Sequence, residues 1–157
     1  MDVLSSAGVV RGVPASLRLA SALLGIDYAD RFDLPTDVRA TPEQWARAMF
    51  GDVPSAAETA IWRGLLGFRL SSGRSPDTVG GWRIGARTAD AVRLDTASPF
   101  LRAEMHVETG PGRVSWTTCL HTEGLRGRVV WPPASAVHRR LVPRVLRDAE
   151  RRLRARG

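Results

Sequence analysis

The chain has a single cysteine, Cys119, among 157 residues. That excludes an internal disulfide framework and a cysteine-based zinc site, and it fits a reducing, cytoplasmic compartment. Lysine is absent: all 23 basic residues are arginine. Such uniformity reflects a codon bias toward G and C, so the formal charge of +7 overstates any affinity for nucleic acid, which is not the expected partner. No stretch reaches the roughly 20 apolar residues needed to span a bilayer. Asp2 precedes any basic residue and Arg18 interrupts the apolar run Leu17–Leu24, a poor pattern for a secretory signal. No nucleophile elbow, phosphate loop or dinucleotide fingerprint occurs, and neither a metal nor a cofactor is expected.

What is present is enough for one globular domain. A hydrophobic content of 43% in a chain of this length supports a core without staples, and a charged fraction of 25% argues against disorder. Residues 1–13 are small and without period and read as a loose arm; residues 14–157 read as the domain. The charge is uneven. From residue 138 onward eight arginines face only Asp148 and Glu150, a net +6, while the other fifteen arginines face fourteen acids, a net +1. An Arg-rich helix for an anionic partner is one reading. The plainer one, favoured here, is a solvated face whose cations complement a helix C-terminus.

The order of elements follows from periodicity. Pro14–Leu24 predicts a short helix ended by Gly25. Ile26–Leu34 alternates and predicts a first strand, with Tyr28 and Phe32 on one face. Asp27, Asp30 and Asp33 lack the glycine and terminal glutamate of a calcium loop and read as exposed strand carboxylates. Two helices have strong starts: Thr41-Pro42 with Gln44, and Ser55 with Glu58, each a capping box. Gly64 and Gly67 weaken the second by roughly 1 kcal/mol each, marking either close packing or a mobile element over a cavity mouth. Ser71–Gly81 reads as loop.

From Trp82 the period becomes two. Trp82, Ile84 and Ala86, then Val92 and Leu94, then Leu101, Ala103, Met105 and Val107, then Val114, Trp116, Thr118 and Leu120 alternate with polar residues, as in an antiparallel sheet covered on one face and wet on the other. Facing Glu108 with Arg113 around a four-residue turn at Thr109–Gly112 pairs Val107 with Val114, Met105 with Trp116 and Ala103 with Thr118. Val129–Trp131 predicts a short last strand stopped by Pro132-Pro133. Ser135 then caps a long amphipathic helix to Arg156, whose stripe includes Val137, Leu141, Val142, Val145, Leu146, Ala149 and Leu153. Pro143 predicts a kink that lets it follow a curved sheet, or else the true start of the helix.

The fold class is therefore α+β: a curved antiparallel sheet gripping a C-terminal helix, with two short helices after the first strand. The segments IDYADRF at 26–32, PEQWARAMF at 42–50, GWRIGARTADAVRL at 81–94 and WPP…VHRRLVPRVLR at 131–147 resemble a bacterial domain family of unknown function within the START-like, or SRPBCC, helix-grip superfamily. The resemblance covers most of the chain from about residue 25. It implies a pocket between sheet and terminal helix for an apolar or aromatic molecule; members of that superfamily include lipid carriers, hormone receptors and polyketide cyclases. The chain shows fewer clear strands than a full seven-stranded grip.

Candidate ligand-binding residues follow from the apolar face: Trp82, Met105 and Trp116 from the strands, and His138 and Val142 from the helix. Most such aromatics are simply core, but a cleft lined by Trp and Met suits a flat apolar ligand. His138 shares the helix side of Val142 and Val145 and could polarise a ligand carbonyl or act as a general base, the basis of a cyclase- or dehydratase-like alternative. The plainer role is a helix residue bonded to backbone. Glu104, His106 and His121 could hold zinc, but nothing fixes the two histidines to one point, and surface positions are expected.

Overall fold

The computed structural model describes residues 4–8, 21–23 and 25–157, the first of these stretches as backbone. Strands β1 (Leu4–Gly8) and β2 (Tyr28–Pro35) precede helix α1 (Pro42–Phe50) and helix α2 (Ala56–Thr59), which runs on as a π-helical turn, Ala60–Leu65. Strands β3 (Thr78–Val79), β4 (Trp82–Arg87), β5 (Ala91–Ala97), β6 (Leu101–Gly110) and β7 (Arg113–Thr122) follow, and helix α3 (Gly124–Arg156) closes the chain. The seven strands form one antiparallel sheet in the order β1-β2-β7-β6-β5-β4-β3. The expected α+β architecture, a curved sheet around a C-terminal helix with short helices after the early strand, is present.

Within the arm at 1–13, Leu4–Gly8 pair with β2, Leu4 opposite Asp33. The helix expected at 14–24 falls almost wholly outside the described residues. Both capping boxes form: Thr41 Oγ1 accepts from Gln44 N at 3.1 Å, and Ser55 Oγ from Glu58 N at 3.2 Å. α1 then buries Trp45, Ala46, Met49 and Phe50.

Several expectations need correction. The β6–β7 register is two residues from the one expected: Gly110 faces Arg113, Val107 faces Trp116, Met105 faces Thr118 and Ala103 faces Leu120. Pro111 and Gly112 alone make the turn, with Gly112 at φ 70°, the residue order of a type II turn. An even shift leaves every side chain on its expected face. In β4, by contrast, a bulge at Gly85 sets Ala86 opposite Arg93, so Ala86 leaves the apolar face. The expected loop Ser71–Gly81 contains β3, joined to β4 by Gly80 and Gly81, both at positive φ, as a two-residue hairpin turn requires.

The larger correction concerns the end of the chain. Val129–Trp131 is not a strand, and Ser135 is not a cap: α3 begins at Gly124 and runs through Pro132, Pro133 and Pro143. The Ser135 hydroxyl donates to the Pro132 carbonyl at 2.7 Å. Tertiary packing overrides the prolines, because Trp131 and Ala134 are buried from this part of the helix. The far half of α3 is clamped down: Val142, Leu146 and Ala149 have no exposed surface, worth about 1.5–3 kcal/mol for each large side chain. Arg152 Nη1 also donates to the Ala48 carbonyl of α1 at 2.8 Å.

The outer sheet face is not simply wet. Residues 21–23 and 25–27 lie across it, with Leu23 and Ile26 packed on Ala29 and Cys119. Glu104, His106, Thr117 and Cys119 are buried beneath.

Candidate functional site

A cavity of about 640 Å³ lies between the inner sheet face and the stretch of α3 from Val130 to Val145. Period-two alternation supplies its floor: Ala103 and Met105 from β6, Trp116, Thr118 and Leu120 from β7, Trp82 from β4. α3 supplies the roof with Val130, Trp131, Ala134, Val137, His138, Leu141 and Val145, and the π-helical turn with Leu66 supplies a side wall of Ile61, Trp62, Leu65 and Leu66. Ile61, Leu65, Val137 and Leu141 are also exposed, so they mark the mouth. Gly64 has open space where a Cβ would stand, which removes close packing as its reason. The hydrogen bond from Leu66 N to the Ile61 carbonyl, 3.0 Å, widens the turn at this edge of the mouth; such π turns recur at functional sites.

An aromatic band runs through the walls in edge-to-face steps. Ring centroids separate Tyr28 from Trp131 by 5.1 Å, His138 from Trp116 by 5.6 Å, Trp116 from Phe50 by 5.0 Å, and Trp82 from both Trp62 and Phe68 by 5.5 Å. Each such pair adds about 0.5–1.5 kcal/mol beyond burial and stiffens the cavity.

Of the residues singled out from sequence, Trp82, Met105, Trp116 and His138 all line this cavity. Val142 does not; it sits one helical turn beyond His138, fully buried in the core. His138 is not bonded to backbone. Its Nε2 lies 3.1 Å from Asp30 Oδ2.

Asp30 joins this corner although the sequence points to an exposed carboxylate: only 2% of its surface is accessible. β2 points it inward with Tyr28 and Phe32, and the ladder sets it opposite Thr118. Strict alternation from Tyr28 and Phe32 was the signal. The Tyr28 hydroxyl donates to Asp30 Oδ2 at 2.6 Å. Burial, followed by this bond to a carboxylate, pushes the Tyr28 phenol well above its ordinary range, so it stays protonated and donating.

Around this corner lie donors with no protein partner among the described residues: Trp116 Nε1, Trp131 Nε1 and Thr118 Oγ1, with Trp82 Nε1 further along. Buried polar atoms are nearly always hydrogen-bonded; these four belong to residues that line the floor and roof of the cavity, but the atoms themselves have essentially no surface open to it.

The outer face holds a separate cluster. Glu104 and His106 meet at 3.0 Å, but His121 pairs with Asp27 at 3.2 Å instead. The structure thus joins two of the three residues weighed for zinc and sends the third elsewhere. Burial opposes ionisation of Glu104, yet hydrogen bonds from His106, Ser21 and Ala22 hold its carboxyl below the usual range. His106 itself is buried, not exposed as expected, and stands opposite Thr117. The Cys119 thiol is pushed up to about 12, chiefly by burial.

On α3, Arg151 pairs with Asp148, and Arg154 with Asp37 and Glu150. Arg139, Arg140 and Arg144, nearer the mouth, make no hydrogen bond or ion pair among the described residues. Also among the described residues, no helix is long and apolar enough to cross a membrane.

Comparison with protein-family models, with curated proteins and with solved structures gave no match.

Proposed function

We propose that this chain is a START-like binding domain that holds a small hydrophobic or aromatic molecule between its sheet and its C-terminal helix. The observation that carries the reading is the cavity of about 640 Å³ with an almost wholly apolar wall and an apolar mouth. Pockets of this size, apolar with a few convergent polar groups, are the usual form of small-molecule sites. Four of the five tryptophans, Trp62, Trp82, Trp116 and Trp131, line it, so the protein reports its own occupancy.

The test is titration with prodan, a neutral solvatochromic naphthalene ketone. A blue shift of the dye with quenching of tryptophan emission is expected, weakened in both Trp116→Ala and Met105→Trp. Dye binding that ignores both substitutions would remove the reading. Native mass spectrometry of freshly purified protein should also reveal a co-purified small molecule.

The unpaired Arg139, Arg140 and Arg144 favour one second reading, an anionic surface docked on α3. Its measure is co-sedimentation with phosphatidylserine-containing vesicles, present at low salt and lost at high salt. Binding that is absent at low salt, or indifferent to salt, would remove it.

A further inference from the structure

We infer that the corner formed by Asp30, His138, Trp116, Trp131 and Thr118 is an acid–base site that moves a proton on a bound carbonyl compound. This rests on the proposed binding of an apolar molecule in the cavity.

The argument begins with what the cavity lacks. Among the described residues its lining holds no serine, cysteine or lysine, the usual covalent nucleophiles. What it holds is a base with an orienting carboxylate. Asp30 Oδ2 receives the Tyr28 hydroxyl at 2.6 Å and lies 3.1 Å from His138 Nε2. A carboxylate with two donors fixes the Nε2–H tautomer, which leaves the Nδ1 lone pair as the basic one. Nδ1 has no hydrogen-bond partner among the described residues. Asp30 also stabilises the imidazolium that forms when Nδ1 takes a proton, as the carboxylate of a catalytic triad does.

The second component is the set of unpartnered donors. The Trp116 and Trp131 rings lie 5.6 and 6.0 Å from the His138 ring, centroid to centroid, and the Nε1 of each is buried without a partner. Thr118, with its unpartnered hydroxyl, sits opposite Asp30 in the ladder. None of the three atoms has surface open to the cavity as it stands, so a ligand oxygen reaches one of them only when its side chain turns; a donor beside a base is what a developing oxyanion requires.

The step is an enolisation. His138 Nδ1 removes a proton from the carbon next to the ligand's carbonyl. The C–H electron pair becomes the new C=C bond, and the carbonyl π pair moves to oxygen, held by an indole N–H. The imidazolium returns its proton to the same carbon or to a conjugated one, giving back the ketone or its isomer. No oxidant, reductant or leaving group is involved. His138 is the catalytic residue in this scheme; Asp30 is a positioning residue.

The experiment uses the full chain with β-tetralone, an apolar bicyclic ketone. Hydrogen–deuterium exchange next to its carbonyl is followed by NMR in heavy water, and binding by tryptophan quenching. Exchange above the buffer rate is expected. It should fall about tenfold or more in His138→Gln, and also in Asp30→Asn, with each protein saturated in β-tetralone as judged from its own quenching curve. In the unmodified protein the exchange rate should follow the titration of His138 read by NMR. The titratable and charged groups around that ring are Asp30 and Tyr28 from β2, Arg139 from α3 and Glu58 at the cavity wall. Quenching without exchange, or exchange unchanged in His138→Gln, overturns the acid–base role and leaves the binding reading standing. No quenching by either β-tetralone or prodan overturns both. If Asp30→Asn fails to fold, the His138→Gln result and the pH profile decide.

Discussion

The backbone amide of Ala22 donates to Glu104 Oε1 at 2.7 Å, across 82 residues of sequence. With the Ser21 side chain, which bonds the same carboxylate, it pins the segment before β2 onto the outer face of β6.

Replacing Glu104 with Gln should weaken that pin and the bond to His106. A loss of about 1–3 kcal/mol is expected at neutral pH, since a buried group is left without its charged partner, read by urea unfolding. The native carboxyl titrates below its ordinary value of 4.5. Below pH 4.5 the unfolded chain therefore binds more protons than the native one, and stability falls as pH drops through the native value. Melting temperature against pH should decline less steeply in Glu104→Gln than in the parent. Equal slopes would refute the assignment.

Gly127 stands in the first turns of α3 with the Phe100 carbonyl directly against the position of a Cβ. A Gly→Ala change inside a helix ordinarily stabilises by about 1 kcal/mol. Here the contact is with backbone, so overpacking dominates, and Gly127→Ala should cost about 1–3 kcal/mol. Thermal unfolding gives the sign, and a stabilised variant would show that α3 seats differently.

Thr118 has a buried hydroxyl with no partner among the described residues. Thr118→Val keeps the shape and removes the orphan, so the ligand-free protein should be unchanged or more stable by up to about 1 kcal/mol. Affinity for prodan should fall at the same time if the hydroxyl serves the ligand's oxygen. A variant that loses stability and keeps its affinity would place the hydroxyl in the structural framework instead.

Cys119 is fully buried with its thiol raised to about 12. It should resist thiol reagents in the native protein and react at once in denaturant. The sign of its linkage is opposite to that of Glu104. Above the ordinary thiol value of 9.0 the unfolded chain loses a proton that the native chain keeps, so Cys119→Ser should flatten the loss of stability between pH 9 and 12.

Much of this architecture was legible because period-two alternation and capping boxes are local signals. Trp82, Met105 and Trp116 share a face whatever the hairpin register, so the cavity floor survived a pairing error of two residues. Asp30 was legible too, by its parity with Tyr28 and Phe32, but a charged side chain invites the surface reading. Three things were not local. β3 is two residues long and exists only through its partner. The covering of Glu104 and His106 comes from a segment some eighty residues earlier. The helical state of 124–134 contradicts its prolines and is set by what Trp131 and Ala134 reach beneath them.

Those prolines have a further effect. Pro132 and Pro133 remove the rungs that would end on the carbonyls of Arg128 and Val129, and both residues lie where α3 passes over the cavity. Downstream, the same helix is bolted to α1 and the core through Leu146, Ala149 and Arg152. The backbone ladder is thus thinnest where the helix roofs the chamber, and there the side-chain packing of Trp131 and Ala134 holds it in place.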